Sequence, residues 1–509
     1  MRTVHNHNNL NKIPSPGAAQ SRTHRLFFLF LLVASAVLVH GYHPFVEDAE
    51  IYVPGIKKLL EPALYPLNQG FFASHAGMTL YPNLIAWSAR LIHLPLEWVL
   101  LGWHFFCILL LLSGCWKLGN ACFQSERAAW GGSLMVAALL TIPVAGTALY
   151  IMDQYVNPRS FSTATAVWII GSALDKKYFR AAIWIAVTAL IHPLMAVFSL
   201  AFVLLSFLVG RVRPVLAPAA ALLPASLFPP LTPAYVRTLN SHSYFFVLRW
   251  EWFEWLGIFG PVLILWGIGR WAKRRGRRLT LYKLSNTTIA FSFLCLLAAL
   301  VITVPQTFVR FAELQPMRGL LLVYVVLLVT AGGLLAEYLL HARLWRWMAV
   351  FLPLSAGMFY AQRQLFPATH HLELPGRAQD NVWVETFLWA RGNTPVDAYF
   401  ALNPEHMRLH GEDQHGFRAI AERSMLADAI KDSGAVTMFP ALAETWQEQV
   451  DAQRGWKDFR RPDFENLRDR FGVNWFVLEQ AQALGMDCPY RNSSLYVCRI
   501  PVENSHKGQ

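Results

Sequence analysis

The chain alternates between long apolar runs and short polar segments. Most runs are roughly 15 to 23 residues long, close to the length that an α-helix needs to cross the hydrocarbon core of a bilayer. The stretch 80–96 is also apolar but contains Arg90 and His93, so we predict that it lies at the outer interface. We predict about eleven spans, near 26–41, 97–116, 128–150, 161–174, 179–191, 193–210, 214–231, 257–270, 283–304, 318–339 and 345–361.

The basic residues indicate how these spans are oriented. Lys and Arg collect in short segments between the runs, most densely in "GRWAKRRGRRL" at 269–279. Placing every such segment in the cytoplasm satisfies the positive-inside rule with one topology. Residues 1–25 are then a disordered cytoplasmic tail. The first run is interpreted as a retained anchor, because a long tail precedes it and "VHGYHP" is a poor signal-peptidase site.

The pattern changes after residue 362, where shorter elements replace the long apolar runs. Residues 380–393, 443–456 and 464–472 have helical periodicity, whereas 397–402, 473–480 and 494–500 have the pattern of strands. We therefore predict a polytopic α-helical membrane bundle over 26–361 and an extracytoplasmic α/β domain over 362–509. Cys488 and Cys498 could form a disulfide there or remain as thiols, since their spacing does not decide between the two.

Composition agrees with a membrane protein and excludes several other classes. Of the 509 residues, 55% are hydrophobic and only 15% are charged. The net charge of +12 follows the predicted topology, so we assign the basic segments to lipid headgroups of the bilayer and not to nucleic acid. No P-loop and no glycine-rich dinucleotide motif is present, so no nucleotide cofactor is expected.

The first external loop, 42–96, begins with a cluster of carboxylates: Glu47, Asp48 and Glu50. Such a cluster is tolerated only where cations, protons or water offset the repulsion between its charges. Glu47 and Asp48 could act on a substrate or metal, or they could cap the helix that follows. A second external loop, 150–162, carries Asp153 and Arg159. This pair could hold a metal or acceptor and a phosphate, although Asn157-Pro158 is also typical of an ordinary turn.

Other external segments carry further candidate residues. His192 precedes Pro193 between two apolar runs, where a bond to the backbone of the turn is favoured over chemistry. Arg310 and Arg318 lie near the membrane edge and suit a phosphate, while Arg310 could instead pair with Glu313. His75 lies near the acidic loop and could add a metal ligand. The metal candidates are therefore Asp48, Asp153 and His75, and a divalent cation remains an open expectation.

In its arrangement the chain resembles the GT-C superfamily of polytopic glycosyltransferases, and within it the uncharacterised bacterial members. The likeness rests on the acidic pair opening the first external loop, on Asp153 in the second, on the number of spans and on the external C-terminal domain. It implies a polyprenyl-phosphate-linked sugar donor, a glycan, lipid or protein acceptor, and a bacterial inner membrane. It also implies Asp48, with Glu47, as the base or metal organiser, and Arg310 or Arg318 as phosphate ligands.

Two further expectations follow from this resemblance. The segment 416–436 carries Arg423, Ser424, Asp428 and Lys431 at positions that recur in those bacterial proteins. We interpret these four residues as a salt-bridged structural face. The alternatives to an enzyme are a flippase for lipid-linked glycans, which would need ionisable residues in the middle of its spans, and a non-catalytic scaffold. The charges lie mostly at the predicted membrane edges, which favours the enzyme.

Overall fold

A computed structural model describes residues 16–209, 230–276, 278–378, 380–479 and 485–500, with side chains from residue 23 onward. The described chain is mostly helical, with a small sheet near its C-terminal end. Before residue 366 the helices are α1 Pro16–His40, α2 Ala49–Leu60, α3 Gly70–Met78, α4 Tyr81–Ile92, α5 Leu96–Cys122, α6 Glu126–Ala138, α7 Pro158–Leu174, α8 Tyr178–Ile191, α9 Pro193–Leu208, α10 Pro233–Ser241, α11 Trp252–Arg274, α12 Leu279–Thr303, α13 Leu320–Leu335 and α14 Leu344–Leu365.

Five helical segments are long and apolar enough to cross a membrane. They are Thr23–His40, Leu96–Cys122, Trp252–Arg274, Leu279–Thr303 and Gln306–Leu340. All five coincide with predicted spans. Long runs of Leu, Val, Phe and Ala favour a helix in lipid, because a helix satisfies the hydrogen bonds of its own backbone and lipid cannot. The helices α8 and α9 are apolar but shorter. The predicted span 214–231 lies outside the described residues, except for its last two, which are not helical.

The predicted span at 128–150 is wrong beyond Ala138, where α6 ends. Residues 139–157 form an irregular segment that contains a single bridge between Pro143 and Tyr150. Pro143 cannot donate a backbone hydrogen bond, and Ala145 and Ala148 have positive φ angles of 42° and 54°, which a helix cannot contain. This apolar stretch therefore does not cross the bundle as a continuation of α6.

Small residues allow the helices of the bundle to approach closely. A Cβ atom added at Gly132 on α6 would lie 2.7 Å from the carbonyl oxygen of Val329 on α13. One added at Gly131 would lie 2.6 Å from the carbonyl oxygen of Gly332. Backbone contact of this kind replaces the hydrophobic driving force that is weak between helices in lipid. The helix α4, by contrast, exposes Trp87, Leu91 and Ile92, as expected of a surface helix.

The C-terminal part, which we call the C-terminal module (residues 380–500), is an α/β unit as predicted. Its five-stranded sheet has the order β2 (Ser424–Met425), β1 (Tyr399–Ala401), β3 (Trp475–Glu479), β5 (Leu495–Arg499) and β4 (Asp487–Arg491). The strands β2, β1 and β3 pair in parallel, and β5 pairs antiparallel with both of its neighbours. A disulfide joins Cys488 on β4 to Cys498 on β5. The elements are α15 Val382–Asn393, β1 Tyr399–Ala401, α16 Phe417–Ala421, β2 Ser424–Met425, α17 Lys431–Met438, α18 Ala443–Ala452, α19 Arg461–Phe471, β3 Trp475–Glu479, β4 Asp487–Arg491 and β5 Leu495–Arg499.

Three of these strands were predicted from their apolar pattern, whereas β2 and β4 were not. β2 has only two residues, and β4 alternates between exposed and half-buried positions, so neither has the apolar run that marks a buried strand. Both strands are recognised only through the neighbours with which they pair.

The first external loop and the C-terminal module are joined by a buried polar network. The carboxylate of Glu50 accepts hydrogen bonds of 3.0 Å from the backbone amides of Arg418 and Ala419. The guanidinium of Arg418 in turn donates to both carboxylate oxygens of Asp432, at 2.9 and 2.6 Å. Glu50, Arg418 and Asp432 are each at most 1% exposed. Because a buried polar group that loses its hydrogen-bond partners is costly, this network holds α2 against the module.

Candidate active site

The first part of the site is the turn that leads into α2. Glu47 has a φ of 55°, a left-handed conformation that a non-glycine residue adopts at some cost. Asp48 occupies the N-cap position of α2, but its side chain makes no capping hydrogen bond. The carboxylate is therefore directed away from the helix, which argues against the capping alternative for Asp48.

Lys431, from the far end of the sequence, is the partner of both acidic residues. Its Nζ atom lies 3.1 Å from Oδ1 of Asp48 and also donates a hydrogen bond to Oε2 of Glu47. Lys431 is held at the start of α17 by Asp428, whose Oδ1 accepts the backbone N–H groups of Ile430 and Lys431 at 2.6 and 2.5 Å. Lys431 is therefore salt-bridged, as expected for this segment, and its charge also lies at the candidate site.

The protonation state of Asp48 is set mainly by its burial and by two cations. Burial favours the neutral acid, but the charges of Lys431 and Arg159 outweigh it and hold the pKa of Asp48 well below its usual range. Asp48 is accordingly a carboxylate at neutral pH.

The second external loop contributes an ion pair and a helix cap. Oδ2 of Asp153 accepts hydrogen bonds from Nδ2 of Asn157 at 2.7 Å and from Nη2 of Arg159 at 2.5 Å. Oδ1 of Asn157 caps α7 by accepting the backbone N–H of Ser160 at 3.0 Å. Asn157-Pro158 thus forms the helix start that was one of the two alternatives. At the same time, Asp153 pairs with the guanidinium of Arg159 and holds it in position.

These two loops meet around one cavity of about 390 Å³. The hydroxyl of Tyr155, from the second loop, accepts a hydrogen bond from the backbone amide of Asp48 at 3.3 Å and so joins them. Five predicted site residues line the cavity, together with Lys431 and aromatic side chains from three segments. The lining includes Glu47, Asp48, Tyr150, Asp153, Tyr155, Arg159, His242, Tyr244, Arg318, Phe366, Arg408 and Lys431.

The charges of this lining favour an anionic group. Three carboxylates (Glu47, Asp48 and Asp153) face four basic side chains (Arg159, Arg318, Arg408 and Lys431), which leaves a surplus of one positive charge. Lys431 and Arg159 are already paired with carboxylates. Nε of Arg318 is a buried nitrogen with no hydrogen-bond partner in the part of the chain that the structure describes. A guanidinium left with an unused donor in a polar cavity suits a phosphate oxygen.

Neither the protein-family models nor the curated protein sequences contain a match to this chain. The functional argument therefore rests on the geometry of the cavity.

Three predicted site residues lie apart from the cavity lining. Arg310 lines a separate groove of about 640 Å³, whose other residues include Arg249 and Phe246. Nδ1 of His192 accepts a hydrogen bond from the backbone N–H of Met195 at 3.4 Å, so this histidine caps α9. Of the two alternatives for His192, the structure shows the bond to the backbone of the turn. The bond to the backbone that we predicted for His192 is thus one that it accepts from an amide N–H group.

His75 is also outside the cavity lining, and the three metal candidates do not form a ligand set. Its ring packs edge-on against Tyr52 and Phe439, at 6.1 and 5.6 Å between centroids. Asp153 already receives Asn157 and Arg159 on one oxygen. Among the described residues, no three His, Cys, Asp or Glu side chains are grouped in a way that could hold a metal ion.

Sequence reasoning missed several residues of this cavity. Tyr155, His242, Tyr244 and Arg408 were not singled out, and Lys431 was assigned a different role. The aromatic residues come from segments that look like ordinary interfacial belts, so no local signal separates them from other Tyr and Phe residues. The position of Lys431 three residues after a helix-capping Asp was the available signal, since it predicts a lysine held at a helix start.

Proposed function

We propose that this chain is a membrane glycosyltransferase of the GT-C kind. It transfers a sugar from a polyprenyl-phosphate-linked donor to an acceptor hydroxyl on the extracytoplasmic side of a bacterial inner membrane. The observation that carries this proposal is the convergence of Glu47, Asp48, Asp153, Arg159 and Arg318 on one cavity. A carboxylate that can accept a proton and guanidinium groups that can bind a phosphate are the two elements that such a transfer needs.

In the proposed reaction, Asp48 accepts the proton of the acceptor hydroxyl as its oxygen forms a bond to the anomeric carbon. The bond between that carbon and the phosphate oxygen breaks, and polyprenyl phosphate leaves with the electron pair. Arg318 and Arg159 bind the phosphate and stabilise its growing charge. Asp153 keeps Arg159 in position, and Lys431 orients the carboxylates of Glu47 and Asp48.

The proposal includes a topology of about eleven spans, of which five helices have the required length and hydropathy. The shorter helices α7, α8 and α9, and the 22-residue helix α14, which is less apolar, would also lie within the membrane, where neighbouring helices cover part of their surface. A helix of 14 residues such as α8 is about 21 Å long, so it would cross only with local thinning of the bilayer. The disulfide between Cys488 and Cys498 supports an extracytoplasmic C-terminal module, since disulfides persist in oxidising compartments.

The test is mass spectrometry of polyprenyl-phosphate-linked sugars and of envelope glycans. It compares cells that carry the wild type, a deletion, Asp48→Asn, and the control Asp397→Asn, which alters an exposed aspartate before β1. We expect the donor to accumulate and one glycan to lose a sugar in the deletion and in Asp48→Asn only. An unchanged glycan profile in the deletion, or wild-type behaviour of Asp48→Asn at equal protein level, would contradict the proposal.

A further inference from the structure

A second polar cavity lies in the C-terminal module, and we call it the module cleft. Its volume is about 650 Å³. It is formed by the segments that follow the parallel strands β1 and β2, together with the segment that follows α18. Ligands of open α/β sheets bind outside the carboxyl ends of the strands, which is where this cleft lies. Its lining includes Glu405, Arg408, Arg454, Trp456, Lys457 and Asp458.

The module cleft adjoins the cavity that contains Asp48. Arg408 lines both spaces, and the consecutive residues Ala429 and Ile430 line one each. A hydrogen bond of 2.9 Å from the backbone amide of Ala429 to the carbonyl of Pro404 holds the two strand-end segments together. A ligand in the module cleft would therefore lie next to the carboxylates of the first external loop, separated from them by the Arg408 side chain.

The side chains around the module cleft are polar, and several are available for binding. Glu405, Lys457 and Asp458 are exposed, and within the described ranges their side chains have no ion pair and no side-chain hydrogen bond. They offer both donors and acceptors. Trp456 is buried against Phe459 and Phe464 and forms the floor of this part of the lining. The hydroxyl groups of a sugar match the exposed donors and acceptors.

The charge of the module cleft is close to balanced. Arg408, Arg454 and Lys457 give three positive charges against two negative charges from Glu405 and Asp458, a surplus of one. Arg454 forms an ion pair with Asp451, which lies outside the lining and offsets that surplus. A polyanion or a long apolar chain would find little complementarity there, so the lining favours a hydroxyl-rich ligand with little net charge.

We propose that the module cleft binds the glycan part of the acceptor and presents its terminal hydroxyl, past Arg408, to Asp48. This inference rests on the proposed function, because it names the class of acceptor that the same enzyme would use. It assigns the donor phosphate to the cavity of Arg159 and Arg318 and the acceptor glycan to the module cleft. The two substrates would then approach the acidic pair from different sides.

The experiment measures binding to the purified full-length protein in lipid nanodiscs. The first probe is the mixture of oligosaccharides released from envelope glycans of cells that lack the protein, which still carries the unmodified acceptor. The second probe is undecaprenyl phosphate. The variants are Lys457→Ala/Asp458→Ala in the module cleft, Asp48→Asn in the cavity, and the control Arg491→Ala on β4, at the far edge of the sheet. Thermal unfolding of each variant checks that it is folded.

We expect the double variant to bind the oligosaccharides about tenfold or more weakly than the wild type and to bind undecaprenyl phosphate unchanged. Asp48→Asn and Arg491→Ala should both retain oligosaccharide binding. Oligosaccharide binding that is equal in the double variant and the wild type, or absent from the wild type, would overturn the inference. Failure of the proposed function would show separately, as an unchanged glycan profile in deletion cells.

Discussion

Nζ of Lys431 lies 3.1 Å from Oδ1 of Asp48, although 383 positions separate the two residues in sequence. One belongs to the first external loop and the other to the C-terminal module, so the candidate site is complete only when these parts are packed together. The buried contacts of Glu50 with Arg418 hold that packing a few residues away. The module is therefore a structural component of the candidate site and contributes a charge to it.

Replacement of Lys431 by methionine should change how activity depends on pH. Without this cation, burial raises the pKa of Asp48 with less opposition, so a larger fraction of the carboxylate is protonated at a given pH. Wild-type kcat/KM should show no acidic limb from Asp48 between pH 5 and 9, because the pKa of Asp48 lies well below that range, whereas Lys431→Met should show one. Transfer assays over that range test this difference.

Lys431→Arg is the matched control for that prediction, because it keeps the positive charge. Like the wild type, it should show no acidic limb in the assayed range. If Lys431→Met lowered the rate equally at every pH, the role of Lys431 would be structural only.

Arg318 and Arg310 should differ in their importance for the donor. Both were predicted phosphate ligands, but only Arg318 lines the cavity with Asp48. We expect Arg318→Gln to raise the KM for a polyprenyl-phosphate-linked sugar about tenfold, as the loss of a charged hydrogen bond to phosphate would. Arg310→Gln should change it by about twofold or less. Equal effects of the two substitutions, measured in nanodiscs, would argue against the placement of the phosphate at Arg318.

A buried histidine–glutamate cluster should make stability depend on pH. The carboxylate of Glu373 accepts a hydrogen bond from Nδ1 of His43 at 2.6 Å and another from Nε2 of His415 at 3.0 Å. Burial raises the pKa of Glu373, but His415 and His43 outweigh it and bring that pKa to about 2. Burial by itself would lower the pKa of His415, but the negative charge of Glu373 outweighs burial and raises that pKa above 6.5. We expect Glu373→Gln to cost about 3 kcal/mol of unfolding free energy near pH 6.

The sign of this pH dependence follows from the two pKa shifts. The depressed pKa of Glu373 contributes stability that is present above pH 4.5 and is lost as the pH falls toward 2. The raised pKa of His415 contributes stability that is present below pH 6.5 and is lost as the pH rises through its folded value. The difference in Tm between wild type and Glu373→Gln should therefore be largest between pH 4.5 and 6.5. Substitution of the exposed His410 by Gln is the control and should leave the profile unchanged.

The disulfide of the C-terminal module allows the topology to be tested. In intact cells, Cys488 and Cys498 should not react with a membrane-impermeant thiol reagent until a reductant is added, and the half-buried Cys488 should react afterward, whereas Cys498 is fully buried. The other four cysteines are buried and should remain unlabelled, so they serve as internal controls. Labelling that requires lysis, or free thiols before reduction, would be inconsistent with an extracytoplasmic module.

The hydrophobic pattern predicted the elements whose character depends on their own residues. The long apolar helices and the strands around 399–401, 475–479 and 495–499 were found because helix and strand periodicity is local. The segment after Ala138 was misjudged, since hydropathy registers its apolar side chains but not the proline and the positive φ angles that end the helix.

By itself, the sequence determined that the chain has long apolar helices, a small α/β module, and acidic and basic residues of the right kinds in its predicted external loops. Only the tertiary structure decided which of those charges meet. Arg310 and Arg318 could not be told apart along the chain, and Lys431 could not be connected to Asp48. The physical reason is that an ion pair depends on the distance between two side chains, and for residues almost four hundred positions apart that distance is set by the packing of every element between them.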